Sequence, residues 1–155
     1  MNRLARHLLT VSVAACLVVP MPATSANADA SHAKTFSLVK NCTHFTGAPF
    51  PDSSCEITSS TLGLLPVGST ILYVEPGLLT TPAGSDIVVV LPGRQHRSKA
   101  YGNCSLDPST FAGRCTLDGG TGRFSRFHAR VVVSNIDNVN FGWTGTYFFG
   151  PERDD

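Results

Sequence analysis

The stretch DGGTGRFSRFHARVVV (residues 118–133) decides how the chain is read. Three glycines within four residues can cradle a phosphate or let a chain reverse between strands. A phosphate loop needs a strand before it and a helix after it, so that the helix N-terminus points at the anion. After Gly122 comes instead a short polar run and then β-branched Val131, Val132 and Val133, which is not a helical pattern. The run also lacks the GK[ST] ending that supplies the lysine and magnesium ligand of such loops. The segment therefore predicts a turn. Gly119, Gly120 and Gly122 allow positive φ at a strand end, where a Cβ would clash, and Phe124 and Phe127 cap one end of a core.

Outward from this corner the same grammar repeats. Short β-rich runs end at Gly, Pro, Asn or Asp breaks, and no long helical periodicity occurs. The runs are KTFSLVK (34–40), CEITSS (55–60), TILYVE (70–75), DIVVVL (86–91), KAYGNCSL (99–106), GRCTLD (113–118), HARVVVSN (128–135) and FGWTGTYFF (141–149). The breaks Glu75-Pro76-Gly77 and Leu91-Pro92-Gly93 cannot continue a central strand and favour reversal. Eight candidate strands predict an all-β domain: an eight-stranded antiparallel barrel, with a β-sandwich as the alternative.

The 155-residue chain opens with the three parts of a secretory signal. Arg3 and Arg6 form its positive start, residues 8–19 its apolar stretch, and Ala26-Asn27-Ala28 its cleavage site. The apolar stretch is shorter than the roughly 20 residues a membrane helix needs. The expectation is a leader over 1–28, then a single domain over 29–155 that is secreted or periplasmic, with no membrane association after cleavage. Lipid anchoring through Cys16 is the weaker route, because the apolar run continues beyond that cysteine.

Without the leader, ten lysines and arginines face eleven aspartates and glutamates, a balance that argues against a nucleic-acid partner. The charge is unevenly placed, however. Seven basic residues between Arg94 and Arg130 meet only Asp107 and Asp118, which reads as solvated strand faces or as a site for an anionic ligand. Four cysteines remain, Cys42, Cys55, Cys104 and Cys115, an even count that predicts disulfides in an oxidising compartment. Spacing favours the local pairs Cys42 with Cys55 and Cys104 with Cys115. No CxxC pair occurs and the histidines are scattered, so no metal or other cofactor is expected.

Pairing Cys104 with Cys115 across a hairpin fixes a register in which Leu106 meets Gly113, Asn103 meets Thr116 and Tyr101 meets Asp118. Along 128–134, His128, Arg130, Val132 and Ser134 share one face and Ala129, Val131 and Val133 the other. Phe141, Trp143, Tyr147 and Phe149 form an aromatic wall suited to a core or a ligand cavity.

GGTGRF followed by a new strand resembles the GGTG-x-F or GGSG-x-F motif of the allene oxide cyclase and dirigent proteins. The similarity runs over about residues 92–149 and includes the CSL, CTL, HARVVV and WTGTYFF strands in matching order. CEITSS and the Pro66-Val67-Gly68-Ser69 turn resemble exported bacterial proteins with the same pattern, and in that light the sequons at Asn41 and Asn103 are incidental. The resemblance implies a barrel able to hold a small, mostly apolar molecule. In the plant cyclases, chemistry depends on confining a reactive fatty-acid epoxide beside a glutamate and water-holding groups on N-terminal strands. Those motifs are not visible here.

Three functions are therefore expected, in this order: binding of a small apolar or anionic molecule, a cyclase or dirigent-like guide, and an envelope or surface interaction protein. Candidate ligand-binding residues are Tyr73, Tyr101, Asn103, Trp143 and Tyr147. Candidate acid/base residues are Glu75 with His128 or Arg130, should they meet inside a barrel, and Asp118 if it faces a cavity. No GxSxG or HExxH motif is present.

Overall fold

Each β-rich run becomes one strand of the computed structural model, which describes residues 33–95 and 97–150. The expected leader, Cys16, His32, His96 and residues 151–155 lie outside the described residues. The strands are β1 (Lys34–Asn41), β2 (Ser54–Ser60), β3 (Thr70–Tyr73), β4 (Ser85–Val90), β5 (Lys99–Leu106), β6 (Gly113–Gly120), β7 (Phe127–Asn135) and β8 (Asn140–Phe149). Every strand pairs antiparallel with its neighbour in sequence, and β8 returns to pair with β1, so the sheet closes into a barrel. Closure excludes the sandwich, which would leave open edges.

Alternation sorts the side chains. From β1 the inward residues are Phe36, Leu38 and Lys40; from β7 they are Phe127, Ala129, Val131 and Val133, all buried. The predicted faces of β7 are thus the observed ones. The aromatic wall of β8 follows the same rule with a gradient: Trp143 is fully buried, Phe141 and Tyr147 pack partly buried against the core, and Phe149 is half exposed.

The two ends of the barrel differ. At one end Leu65, Leu91, Phe124 and Phe127 are all essentially inaccessible and form a plug. The Phe124 and Phe127 rings meet edge to face at 5.3 Å, an arrangement that adds to their area burial. The glycine corner belongs to this sealed end. Gly119 (φ +80°) and Gly122 (φ +58°) take backbone conformations that cost any other residue a steric clash. A single 3-10 turn, Gly122–Phe124, then leads into β7, so the corner reverses the path and launches no α-helix.

The corner also corrects the register. Asn103 pairs with Thr116, Leu106 with Gly113 and Gly102 with Leu117, all in the predicted register, but Ala100 pairs with Gly120. Tyr101 therefore faces two residues, Asp118 and Gly119, instead of Asp118 alone. This is a β-bulge with a left-handed glycine, which the strict two-residue count cannot anticipate.

At the other end the four loops 42–53, 74–84, 107–112 and 136–139 surround a mouth. Cys42 bonds Cys55 there, and Cys104 bonds Cys115 across β5 and β6, the two predicted pairs. Such pairs fit an extracellular or periplasmic setting. Among the described residues no helix is long and apolar enough to cross a membrane.

The ends also carry opposite charge. Lys34, Arg94, Arg97, Lys99, Arg123 and Arg126 lie at the sealed end, all exposed. Asp52, Glu56, Glu75, Asp86, Asp107 and Asp137 lie towards the mouth, all exposed as well, with Arg114 at the mouth and Asp118 nearer the sealed end as the exceptions.

Candidate functional site

Lys40 is the third inward residue of β1, after two apolar ones, and the alternation that buries Phe36 and Leu38 buries it too. Only 2% of it is accessible, the burial of a core leucine. β8 sets its surroundings: Lys40 lies opposite Phe141, and Leu38 opposite Trp143. The ammonium nitrogen stands 4.8 Å from the centre of the Trp143 ring and 5.7 Å from that of Phe141. From β3, the inward Tyr73 accepts a hydrogen bond from Lys40 Nζ on its hydroxyl.

Lys40 has no carboxylate partner: the ion pair found among the described residues is His128 with Asp118, 3.3 Å apart on the outer surface. An ammonium group removed from water without a counter-ion favours its neutral form. Burial accordingly pulls Lys40 down from 10.5 to about 7. The same burial pushes the Tyr73 phenol above its ordinary range and holds it protonated. The surrounding rings offset part of the cost of the charged form, since their faces attract a cation. The result is a lysine poised between two protonation states near neutrality.

Above this pair opens a cavity of about 320 Å³, at the lower end of the sizes that hold small ligands. Lys40 and Tyr73 line it together with Phe45, Leu79, Leu106 and Phe141, and the Cys42–Cys55 bond forms part of its wall. Two residues at its rim, Phe111 (φ +54°) and Asn138 (φ +66°), are the non-glycine residues with left-handed backbone among those described. Asn tolerates that conformation; a bulky aromatic does not adopt it readily, and such strain concentrates at functional sites. The four mouth loops expose apolar side chains, Phe50, Leu78, Phe111, Ile136 and Val139, interleaved with the carboxylates Asp52, Glu75, Asp107 and Asp137. One deeper feature adds to the chemistry. Trp143 Nε1 is buried and has no hydrogen-bond acceptor.

The sequence-predicted site residues separate into two groups. Tyr73 and Trp143 converge on Lys40, one lining the cavity and the other lying against the amine. Tyr147 points inward nearer the sealed end, where its ring lies 6.0 Å from Phe36 and 5.9 Å from Phe127. Tyr101 and Asn103 do not join them. They line a groove of about 410 Å³ on the outer wall of the barrel, where Asn103 donates to Asp86 Oδ1. That groove is larger than the cavity but holds no buried polar group.

The expected acid/base pair inside the barrel does not form. Glu75 is exposed just beyond β3, His128 stacks outside on Phe148 at 5.0 Å, and Arg130 is exposed on the outer face of β7. Asp118 is exposed as well. The reason is the alternation already described: the even-numbered positions of β7 face solvent.

Sequence reasoning missed Lys40. The signal was present in KTFSLVK, where a lysine follows Phe36 and Leu38 in the same phase. Among the described residues, no three His, Cys, Asp or Glu side chains gather as a metal site would require. Compared with known proteins, the chain finds no matching family model, no matching curated protein and no matching solved structure.

Proposed function

We propose that the protein is an exported carrier or receptor for a small, mostly apolar molecule with one oxygen-bearing head group, held in the mouth of the barrel. The observation that carries this reading is Lys40: a buried amine without a carboxylate partner, bonded to Tyr73, lining an otherwise apolar cavity. A fold seldom keeps an unpaired lysine in its core for stability, because desolvation works against it. A ligand oxygen supplies the missing acceptor, and the rest of the cavity accepts a hydrocarbon body. Membership of the allene oxide cyclase and dirigent barrel superfamily is part of this proposal, resting on the GGTGRF corner and the strands around it.

The cyclase reading is weaker, because neither Glu75 nor Asp118 faces the cavity. The interaction reading draws on the exposed apolar rim and predicts a partner that covers the mouth.

Titration with a six-carbon series tests the proposal: hexane, hexanol, hexanal and hexanoate, followed by the emission of Trp143, the only tryptophan in the chain. The oxygen-bearing members should bind at least tenfold more tightly than hexane, and Lys40→Met should remove that preference. Equal affinity across the series, unchanged by the substitution, would refute the role of Lys40. Native mass spectrometry of protein from its producing cells would show a retained ligand directly.

A further inference from the structure

We propose that Lys40 captures small apolar aldehydes covalently, as a reversible imine on Nζ, with the Tyr73 hydroxyl relaying the proton. The inference rests on the binding reading above and deepens it by naming the head group as a carbonyl.

The geometry supplies what this chemistry requires. Imine formation needs an amine with a free lone pair, an apolar space for the carbonyl compound, and a proton donor beside the nitrogen. Lys40 lines the cavity with its amine against the Tyr73 hydroxyl. No carboxylate holds it as ammonium. β2 contributes the disulfide-bonded Cys55, whose sulfur lies 4.0 Å from the Tyr73 hydroxyl, and β8 contributes the Phe141 and Trp143 rings. Glu56 and Glu75, the carboxylates nearest in sequence on β2 and after β3, are exposed. Burial alone thus keeps a large fraction of the amine neutral at physiological pH, the behaviour of lysines that form Schiff bases.

An aldehyde also suits the cavity better than an anion. It carries no charge to be desolvated, and its oxygen is an acceptor for the donors at the floor of the cavity. The step balances without any further reagent. The Nζ lone pair forms a C–N bond to the carbonyl carbon while the C=O electrons move to oxygen, which takes the Tyr73 proton. The nitrogen returns a proton to Tyr73, giving a neutral carbinolamine. The C–O bond then breaks with proton donation from Tyr73, water leaves, and the second nitrogen proton restores the phenol. The product is the imine, and water reverses the sequence.

The chain has three lysines, and the other two, Lys34 and Lys99, are exposed on strand ends, so each molecule contains its own controls. The full chain is incubated with hexanal and sodium cyanoborohydride at pH 7.5, digested and mapped by mass spectrometry. Lys40 should be alkylated at least tenfold faster than Lys34 or Lys99, with hexanol as a competitive inhibitor. Tyr73→Phe should slow trapping about tenfold beyond whatever it does to hexanol affinity, and alter the pH profile of trapping. Lys40→Arg should form no adduct at position 40, while Lys34 and Lys99 are alkylated at their unchanged slow rate.

Alkylation spread evenly over the three lysines would overturn the inference. So would hexanal binding that is never trapped, although that outcome leaves the carrier reading standing. Failure of hexanol, hexanal and hexanoate alike to bind the intact protein would overturn both.

Discussion

Lys40 lowers the stability of the fold wherever its amine is charged. Its folded-state pKa is depressed from 10.5 to about 7 by burial. Below pH 7 the amine is charged in both the folded and the unfolded chain, and the folded state bears the desolvation cost. Between pH 7 and about 10 the unfolded chain binds more protons, so stability rises with pH. Lys40→Met should therefore stabilise the protein at pH 6, by on the order of a few kcal/mol less about 1 kcal/mol for the hydrogen bond lost to Tyr73. The gain should shrink by pH 9. Denaturant melts of both proteins at the two pH values check it, and a gain that grows with pH contradicts the assignment. At the rim, Phe111 is 41% exposed, so Phe111→Ala should cost little stability, under about 0.5 kcal/mol, while speeding hexanol release in stopped-flow emission.

The elements were legible in the sequence because punctuation and alternation agree. Proline and glycine ended the runs that became β3 and β4, and Cys104 opposite Cys115 fixed the hairpin of β5 and β6. What escaped needs three-dimensional context. The bulge at Tyr101 follows from a left-handed Gly119 within a strand, which a period of two does not register. Lys40 escaped because its phase on β1 means burial only once the sheet closes. Tyr101, Asn103, His128 and Arg130 were chosen by chemistry, and the alternation of their strands places them on the outer face.

The two disulfides separate by role at this scale. Each closes a short loop, which in a small domain contributes on the order of 2 to 4 kcal/mol, so full reduction should lower the thermal midpoint well beyond the scatter of repeat melts. Replacing Cys42 and Cys55 by serine should also weaken hexanol binding, since that bond lines the cavity. Replacing Cys104 and Cys115 should lower stability and leave binding nearly intact. The β5–β6 turn has its own anchor. Asp107 accepts hydrogen bonds from the backbone and hydroxyl groups of Ser109 and Thr110, and these hold its carboxyl down at about 2. Its contribution is present above the ordinary carboxylate pKa and should fade as pH falls from about 4 to 2. Melts of wild type and Asp107→Ala should converge over that interval.

For the whole molecule, among the described residues, the closed barrel is plugged at one end and open at the other, and the same asymmetry runs through its charge. Six exposed basic residues and one carboxylate, Asp118, lie at the plugged end, while six exposed carboxylates and one arginine, Arg114, lie towards the mouth. Such a separation is a large permanent dipole, and near a polyanionic cell wall or membrane it acts as a compass. Beside any polyanionic surface such a dipole favours the orientation that turns the plugged pole towards the surface and the opening away from it.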